Sequence, residues 1–269
     1  MSNEAEAIVA AGYDAVYRAV PRSPTLWRIW LDHAAGADFP AQHSHISFVT
    51  LAELRDLSDA LRPSDGATLV DLACGMGGPS LWIATRLPVR IVGVDASSVA
   101  VELATDRAAR LGLADRCTFR TGTFAATGLA AGGAGAALSL DALQYAPSKA
   151  DAFGEIARVL KPGGRLAFTA FEVHPDRVAG LPVLGDDPVD DYRPLLDDAG
   201  FDVDAYEETP GWSGRVSAAY EAIIDAAEAL TAEMGADAYG ALALEVALTL
   251  EHKPYRRRVV VTATRRASS

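Results

Sequence analysis

The sequence predicts an α/β fold built on a doubly wound, mostly parallel sheet of seven strands. From about residue 67 to residue 172, short β-rich runs alternate with helical stretches, the pattern of a parallel sheet with helices on both faces. Beyond residue 190 a helix and two more β-rich runs follow, and a long Ala-rich helical stretch separates those two runs. Because crossovers between parallel strands are right-handed, this order leaves a doubly wound topology.

Each element is predicted from a local pattern of residues. Apolar residues at helical spacing predict a helix within 48–61. Strands are predicted at ATLVDLA, VRIVGVD, RCTFRTG, GAALSLD, RLAFTAFE, 201–207 and 259–263, and helices at 79–87, 97–111, 148–160, 190–199 and 216–250, the last broken near Gly235. We interpret residues 1–63 as an N-terminal helical cap and residues 64–269 as the α/β domain, with a helical insertion at about 213–253. A long insertion before the last strand often serves as a lid or as the contact of a homodimer.

Composition narrows the class of function. The chain has a net charge of -12, and so acidic a surface repels a phosphate backbone, which argues against a nucleic-acid partner. The basic run Arg256–Arg258 is interpreted as a solvated turn before the last strand. The two cysteines, the polar start and the lack of an apolar run of about 18 residues predict a cytoplasmic protein with neither a disulfide framework nor a membrane span.

The strongest local signal is a glycine turn between the first strand and the next helix. Asp71, Ala73, Gly75 and Gly77 lie in it, and glycines there let a ligand approach the backbone N–H groups. About twenty residues later Asp95 ends the second strand, where a carboxylate accepts hydrogen bonds from the two hydroxyls of a ribose. A helix cap is the alternative for Asp95. The shared spacing of the two features favours a nucleoside site.

Two further details separate the candidate cofactors. Asp71 would oppose a pyrophosphate but suits the ammonium group of a methionine moiety. The turn Leu160–Gly164 reads Leu-Lys-Pro-Gly-Gly. With these motifs, residues 69–172 resemble the class I S-adenosylmethionine-dependent methyltransferases. In its general sequence character, and not in any single motif, the chain is similar to the small-molecule members of this family from bacterial secondary metabolism.

The resemblance implies a Rossmann-like methyltransferase fold, S-adenosylmethionine as cofactor, and a set of residues that bind it. Ala73 stands where the family's first glycine lies. Where the family usually has an acid that reads the adenine amino group, this chain has Gly122-Thr123-Phe124, and Thr123 can still accept a hydrogen bond. An N-terminal tyrosine often lies against the methionine end in this family, and Tyr13 and Tyr17 share one helix face. The predicted cofactor-binding residues are Asp71, Ala73, Gly75, Gly77, Asp95, Ala96, Thr123, Phe124, Leu140, Tyr13 and Tyr17.

Catalytic and substrate-binding residues are expected at the carboxyl ends of strands four and five. Methyl transfer is an in-line displacement at a sulfonium carbon, so the protein supplies positioning and sometimes a base. Glu172 and His174 are candidate bases, and Tyr145 is a candidate for orienting the substrate. Substrate contacts are predicted at Gln144, Tyr145, His43, His45, Trp27 and Trp30, with packing in the core as the alternative for the aromatic residues. No metal is expected, because no nearby cysteine or acid completes a site with the two N-terminal histidines.

Three other functions remain as alternatives. A protein of this fold can use the cofactor pocket for chemistry other than methylation. A nicotinamide-dependent oxidoreductase is opposed by the incomplete glycine fingerprint and by Asp71. A nucleic-acid or protein methyltransferase is opposed by the acidic surface and by the Asp-Ala-Leu-Gln segment at residues 141–144.

Overall fold

A computed structural model describes residues 2–179 and 187–267. Its seven strands form one sheet in the order β3-β2-β1-β4-β5-β7-β6. β1 to β5 are parallel, and β7 lies antiparallel between β5 and β6. The prediction of a doubly wound, mostly parallel sheet of seven strands is therefore confirmed. The strands are β1 Thr68–Leu72, β2 Arg90–Asp95, β3 Cys117–Thr121, β4 Ala134–Leu140, β5 Leu160–Val173, β6 Phe201–Glu208 and β7 Arg256–Arg265.

Helices flank the sheet, and further helices lie at the carboxyl ends of its strands. The helices between or beside the strands are α4 Gly78–Arg86, α5 Ser98–Arg110, α6 Lys149–Val159, α7 Pro175–Val178 and α8 Arg193–Asp198. The N-terminal helices are α1 Ser2–Ala19, α2 Pro24–Ile29, a π-helical turn Trp30–Ala35 and α3 Leu51–Leu61. The insertion before the last strand contains α9 Trp212–Asp225, α10 Ala227–Met234 and α11 Ala236–His252. In the part of the chain that the structure describes, no helix is long and apolar enough to cross a membrane.

Side-chain caps explain where several helices begin. The Thr50 side chain accepts a hydrogen bond from the Glu53 N–H, and the Glu53 carboxylate accepts one from the Thr50 N–H. This capping box starts α3 at Leu51, three residues later than the apolar periodicity alone predicts. Ser97 caps α5 in the same position, so the loop after β2 turns directly into a helix.

The insertion differs from the predicted pair of helices. The break at Gly235 is confirmed, since its φ of 88° is a backbone conformation that glycine adopts readily. A second break at Ala226 gives three helices, and no glycine or proline marks it. The interpretation of Arg256–Arg258 as a solvated turn is wrong, because all three residues lie in β7 and Arg258 is fully buried.

The two chain regions outside the sheet pack against each other. α1 lies along α11, α2 contacts α9 and α10, and α9 packs on the π-helical turn. We call α1, α2 and α9 to α11 together the cover. Residues of α1, α9 and α11 line one cavity together with the carboxyl ends of β1, β2 and β4, so that end of the sheet is lined by residues distant in sequence. The division of the chain at residue 63 stays a prediction.

Candidate active site

A single large cavity lies between the carboxyl edge of the sheet and the cover. It encloses about 1370 Å³ of space when its solvent-open mouth is included. Its lining includes the ends of β1, β2 and β4, the loop at residues 45–48, and residues from α1, α9 and α11. One cavity therefore brings the carboxyl ends of three strands together with residues of the N-terminal helix and of the insertion.

The glycine turn after β1 brings the backbone close to its neighbours. Gly75 has a φ of 51° and Gly77 a φ of 70°, the left-handed region that favours glycine. A Cβ on Gly78 would lie 2.2 Å from the His43 carbonyl oxygen, so the cap residues can pack on the start of α4 only because this position is glycine. Ala73 also has a positive φ, of 55°, at the position where the family resemblance placed a glycine.

Asp95 joins the glycine turn to the start of α5. Its carboxylate accepts hydrogen bonds from the Gly75 N–H at 2.8 Å and from the Ser97 N–H at 2.9 Å. Burial raises the pKa of Asp95, although these two N–H groups oppose the shift. Each oxygen keeps a further lone pair, so the carboxylate can still accept bonds from a ribose. The N-cap of α5 is Ser97, so the alternative of a helix cap at Asp95 is wrong.

Asp71 lies deeper in the same cavity. Its side chain is buried, and burial raises its pKa to about 7, with the Ser80 hydroxyl opposing and the negative charge of Asp95 adding to the shift. A carboxyl group in this state gains free energy when a cation binds next to it. The remaining predicted cofactor-binding residues also line the cavity, namely Ala73, Gly75, Ala96, Thr123, Phe124, Leu140, Tyr13 and Tyr17. Gly77 does not line it and is instead the N-cap of α4.

Tyr17 reaches the glycine turn from α1. A Cβ on Gly75 would lie 2.8 Å from the Tyr17 hydroxyl, so the two residues are in close contact. Tyr13, one turn earlier on the helix, has its ring 5.8 Å from that of Tyr17 and 5.7 Å from that of Tyr145. The first helix of the chain is thus part of the cavity wall.

A polar cluster forms a further part of the cavity wall. The Glu245 carboxylate accepts hydrogen bonds from the hydroxyls of Tyr13 at 3.0 Å, Tyr145 at 3.0 Å and Tyr220 at 3.2 Å. We call these four residues the Glu245 cluster. Burial, and then the charge of Glu245, raise the pKa of all three tyrosines, which therefore stay protonated and act as donors.

Several residues of this wall were not predicted from the sequence. Tyr220, Glu245, Thr249 and Arg256 line the cavity but belong to the insertion and to β7. A signal was present, because Leu242, Glu245 and Thr249 follow one another at intervals of three and four residues, which places them on one helix face. A carboxylate on an otherwise apolar face of α11 indicates a buried polar role.

His45 faces the cavity as a neutral donor. Its Nδ1 accepts a hydrogen bond from the Ser47 N–H at 3.2 Å, so the proton of the neutral ring is on Nε2. Burial lowers the pKa of His45 to about 3, which keeps the ring uncharged at neutral pH. Nε2 is buried and has no hydrogen-bond partner among the described residues, so it can donate to a bound ligand.

The two predicted bases do not reach the cavity. Phe171 lines it, and because neighbouring residues of a strand face opposite sides, Glu172 points to the other face of the sheet. There Glu172 is buried, pairs with the Arg257 guanidinium and accepts a hydrogen bond from the Tyr206 hydroxyl. His174 is exposed and lies outside the cavity lining. Periodicity alone could not show which side of β5 faces the ligand.

The predicted substrate-binding residues divide in a similar way. Gln144, Tyr145 and His45 line the cavity, whereas His43, Trp27 and Trp30 do not. Trp30 supports the wall from behind, with its Nε1–H donating to the Ser47 carbonyl at 3.0 Å and its ring 5.4 Å from that of Phe48. No group of three potential metal ligands occurs among the described residues.

Comparison with known proteins agrees with this geometry. A family model described as a methyltransferase domain matches residues 69–164. The chain is 26% identical over 221 residues to the 27-O-demethylrifamycin SV methyltransferase of Amycolatopsis mediterranei, covering 76% of this chain and 79% of that protein. It is 38% identical over 113 residues to the erythromycin 3''-O-methyltransferase of Saccharopolyspora erythraea, and 34% over 108 residues to the 24-methylenesterol C-methyltransferase 2 of Oryza sativa subsp. japonica. Those two matches span only 37% and 30% of the relatives' lengths.

Solved structures share the fold at low sequence identity. The [4+2]-cyclase SpnF has a TM-score of 0.74 at 23% identity, covering 97% of this chain and 96% of that chain. A geranyl diphosphate methyltransferase in complex with S-adenosylmethionine has a TM-score of 0.61 at 22% identity, covering 80% and 84%. At these identities the likeness concerns the fold, and the first of the two covers nearly the whole chain, including the cap and the insertion.

Proposed function

Because the chain carries the domain of the class I S-adenosylmethionine-dependent methyltransferase family, we propose that it transfers a methyl group from S-adenosylmethionine to a small molecule in natural-product biosynthesis. One observation carries the proposal. A single cavity joins the glycine turn and Asp95 to the Glu245 cluster and to the apolar rings of Phe48 and Phe171. A cofactor site that continues into a second, differently lined space is what a two-substrate transfer requires.

The residues at the glycine turn fit the cofactor. Asp71 would face the ammonium group, Asp95 the ribose hydroxyls, and the Tyr17 side of the turn the methionine end. Ala96, Thr123, Phe124 and Leu140 would enclose the adenine. When bound, S-adenosylmethionine supplies a methyl group on a sulfonium, which is electrophilic without further activation.

The chain's own residues position the acceptor and exclude water. The cover closes over the carboxyl edge of the sheet, and the aromatic rings of Phe48 and Phe171 give the acceptor side an apolar surface. Tyr145 presents its hydroxyl from the end of β4 while donating to Glu245. Because its carboxylate accepts three tyrosine hydroxyls, we assign the Glu245 cluster to orientation of the acceptor.

Two further properties belong to the proposal. Cys74 and Cys117 are both buried as free thiols, which favours work in a reducing compartment, the cytoplasm. The net charge of -12 favours a small molecule over a nucleic acid as partner. A homodimer through the insertion helices stays a prediction.

Calorimetric titration with S-adenosylhomocysteine, NADH and NADPH tests the cofactor. We expect the homocysteine compound alone to bind. Asp95→Ala removes two ribose hydrogen bonds and should weaken binding by about 2–3 kcal/mol, roughly 30- to 150-fold. Asp204→Ala, which removes a partly exposed carboxylate on β6, should leave the affinity unchanged.

A nicotinamide that binds in place of the homocysteine compound would overturn the proposal. Transfer itself is then measured by mass spectrometry as formation of S-adenosylhomocysteine in the presence of candidate acceptors. A protein that binds the cofactor and converts an acceptor without forming this product uses the pocket for different chemistry.

A further inference from the structure

Three consecutive arginines in β7 have different partners. Neighbouring strand residues face opposite sides of a sheet, so Arg257 faces away from the cavity and pairs with Glu172. Arg258 is fully buried on the cavity side, where its Nε is 2.7 Å from Asp141 Oδ1 and its Nη1 is 2.9 Å from Glu53 Oε1. Both of these arginines are neutralised within the protein.

Arg256 lies on the same side as Arg258 but has no such partner. It lines the cavity, and its polar contact is a hydrogen bond from Nη1 to the Thr249 hydroxyl at 3.3 Å. Among the described residues it forms no ion pair with any carboxylate. Its Nε is buried and lacks a hydrogen-bond partner. The Phe171 ring lies 5.7 Å from its Cζ, so the guanidinium is held against an apolar wall.

The other charged groups in the cavity already have a partner or a proposed role. Asp71 and Asp95 belong to the proposed cofactor site, and Asp141 is neutralised by Arg258. Glu245 accepts three tyrosine hydroxyls. Among the described lining residues, Arg256 is the one arginine or lysine, and it faces the acceptor side.

The electrostatics agree with this geometry. Burial lowers the pKa of Arg256, and Tyr145, Tyr220 and Glu245 offset the shift only in part. Arg258 is buried too, yet Asp141 and Glu53 outweigh the burial and raise its pKa. A cation taken out of water without a partner costs free energy, and an anionic ligand can recover it.

We propose that Arg256 binds a carboxylate of the methyl acceptor, so that the acceptor is a mainly apolar molecule carrying an acidic group away from the methylated atom. This inference rests on the proposed function and names its substrate class. A guanidinium binds a carboxylate through two parallel N–H···O bonds, and the apolar rings beside Arg256 suit the body of such a molecule. The Glu245 carboxylate is occupied by three tyrosine hydroxyls and forms no ion pair with Arg256, so the guanidinium stays open to the incoming acid.

Matched acids and amides test the inference. The protein saturated with S-adenosylhomocysteine is titrated calorimetrically with 4-phenylbutyrate, trans-cinnamate and decanoate, each beside its primary amide. We expect at least one acid to bind about tenfold or more tightly than its amide, as a charged hydrogen-bonded pair implies. Arg256→Met should lose this preference while keeping its affinity for the homocysteine compound. Arg257→Met, on the other face of β7, should keep both.

Thermal unfolding of the ligand-free protein separates this role from a structural one. Arg256→Met breaks no ion pair, so its melting temperature should equal or exceed that of the wild type, whereas Arg258→Met should melt lower. The inference is overturned if no acid outbinds its amide, if the preference survives in Arg256→Met, or if Arg256→Met melts as low as Arg258→Met. Failure of the wild type to bind S-adenosylhomocysteine would instead overturn the proposed function, and this inference with it.

Discussion

Asp71 and Asp95 are both buried carboxylates in one cavity, but their surroundings prepare them for different tasks. Asp95 accepts two backbone N–H groups, which stabilise its charge and fix its position beside the turn. Burial dominates at Asp71 and raises its pKa to about 7. Asp95 is thus built as a fixed acceptor for neutral hydroxyls, whereas Asp71 is an acid that a nearby cation can ionise.

Cofactor affinity should therefore rise with pH around neutrality. The pKa of Asp71 is about 7 in the folded protein against an ordinary 3.8. Keeping Asp71 ionised in the folded protein costs free energy, and the cost is present in full only above pH 7, where the group is ionised. An ammonium group binds the ionised form, so S-adenosylhomocysteine should bind more tightly at pH 8 than at pH 6 and should release protons below pH 7. Calorimetry in two buffers of different ionisation enthalpy measures both effects.

Two controls identify Asp71 as the source of this dependence. Asp71→Asn should bind more weakly and should show a flat profile. 5′-Methylthioadenosine keeps the ribose but lacks the ammonium group, so its affinity should not rise with pH even though the pKa of Asp95 is also raised. An equal rise for both ligands would assign the effect to the ribose site instead.

Single residues were predictable where the local chain fixes their position. Asp71, Gly75 and Asp95 lie within a strand-turn-helix unit whose spacing determines where each side chain points, and the structure brings all three to the cavity. Glu172 was predicted as a base from its place at the end of β5. A shift of one residue along a strand moves the side chain to the other face of the sheet. The sequence contains no local signal for which face the cover encloses.

Arg258 of β7 links the sheet to the N-terminal cap. Asp141, at the end of β4 with a positive φ of 51°, accepts Arg258 through both oxygens and also accepts the Phe48 N–H at 2.7 Å. Glu53, from the capping box of α3, accepts both Arg258 and Arg215. One buried network thus fixes the loop at residues 45–48 over the cavity.

Replacing Arg258 should lower the free energy of unfolding. Arg258→Met leaves the buried Asp141 without its cation, and a broken buried ion pair costs about 3–5 kcal/mol. The double variant Arg258→Met, Asp141→Asn should recover part of that loss. Asn carries no charge that would be left buried without a partner, and it keeps an oxygen for the Phe48 N–H. Urea unfolding with linear extrapolation measures the free energies. An unchanged free energy of unfolding in the single variant would show that the network contributes nothing to stability.

Helices were predictable to the extent that their ends carry signals. Thr50, Ser97 and Gly235 mark ends by side-chain caps or by a left-handed φ, and each mark is visible in the sequence. Ala226 marks the break between α9 and α10 with neither signal. That break follows from packing against the rest of the cover, because local propensity favours a continuous helix there.

The cover shows what the sequence could not predict about the molecule as a whole. Tyr13 and Glu245 are 232 positions apart and share a hydrogen bond. The hydroxyls of Ser23, the N-cap of α2, and of Thr25, in its first turn, donate to the Glu233 carboxylate of α10 at 2.6 and 2.7 Å. The first and last helices of the chain therefore close one site together, and pairing at that separation leaves no pattern within either segment.

Because the cavity wall joins α1, the glycine turn and α11, a ligand at the turn should stabilise helices that contribute no cofactor motif. At a concentration of about 100 times its dissociation constant, S-adenosylhomocysteine should add about 2.7 kcal/mol to the free energy of unfolding. Amide hydrogen exchange should slow in α1 and α11 as well as in the glycine turn, while the distant helix α8 and strand β6 change little. Tyr13→Phe, which removes one bond to Glu245, should reduce the protection of α1 without abolishing binding. Protection confined to the glycine turn and α5 would mean that the cover closes independently of the cofactor, and the acceptor would then have to provide the contacts that hold it shut.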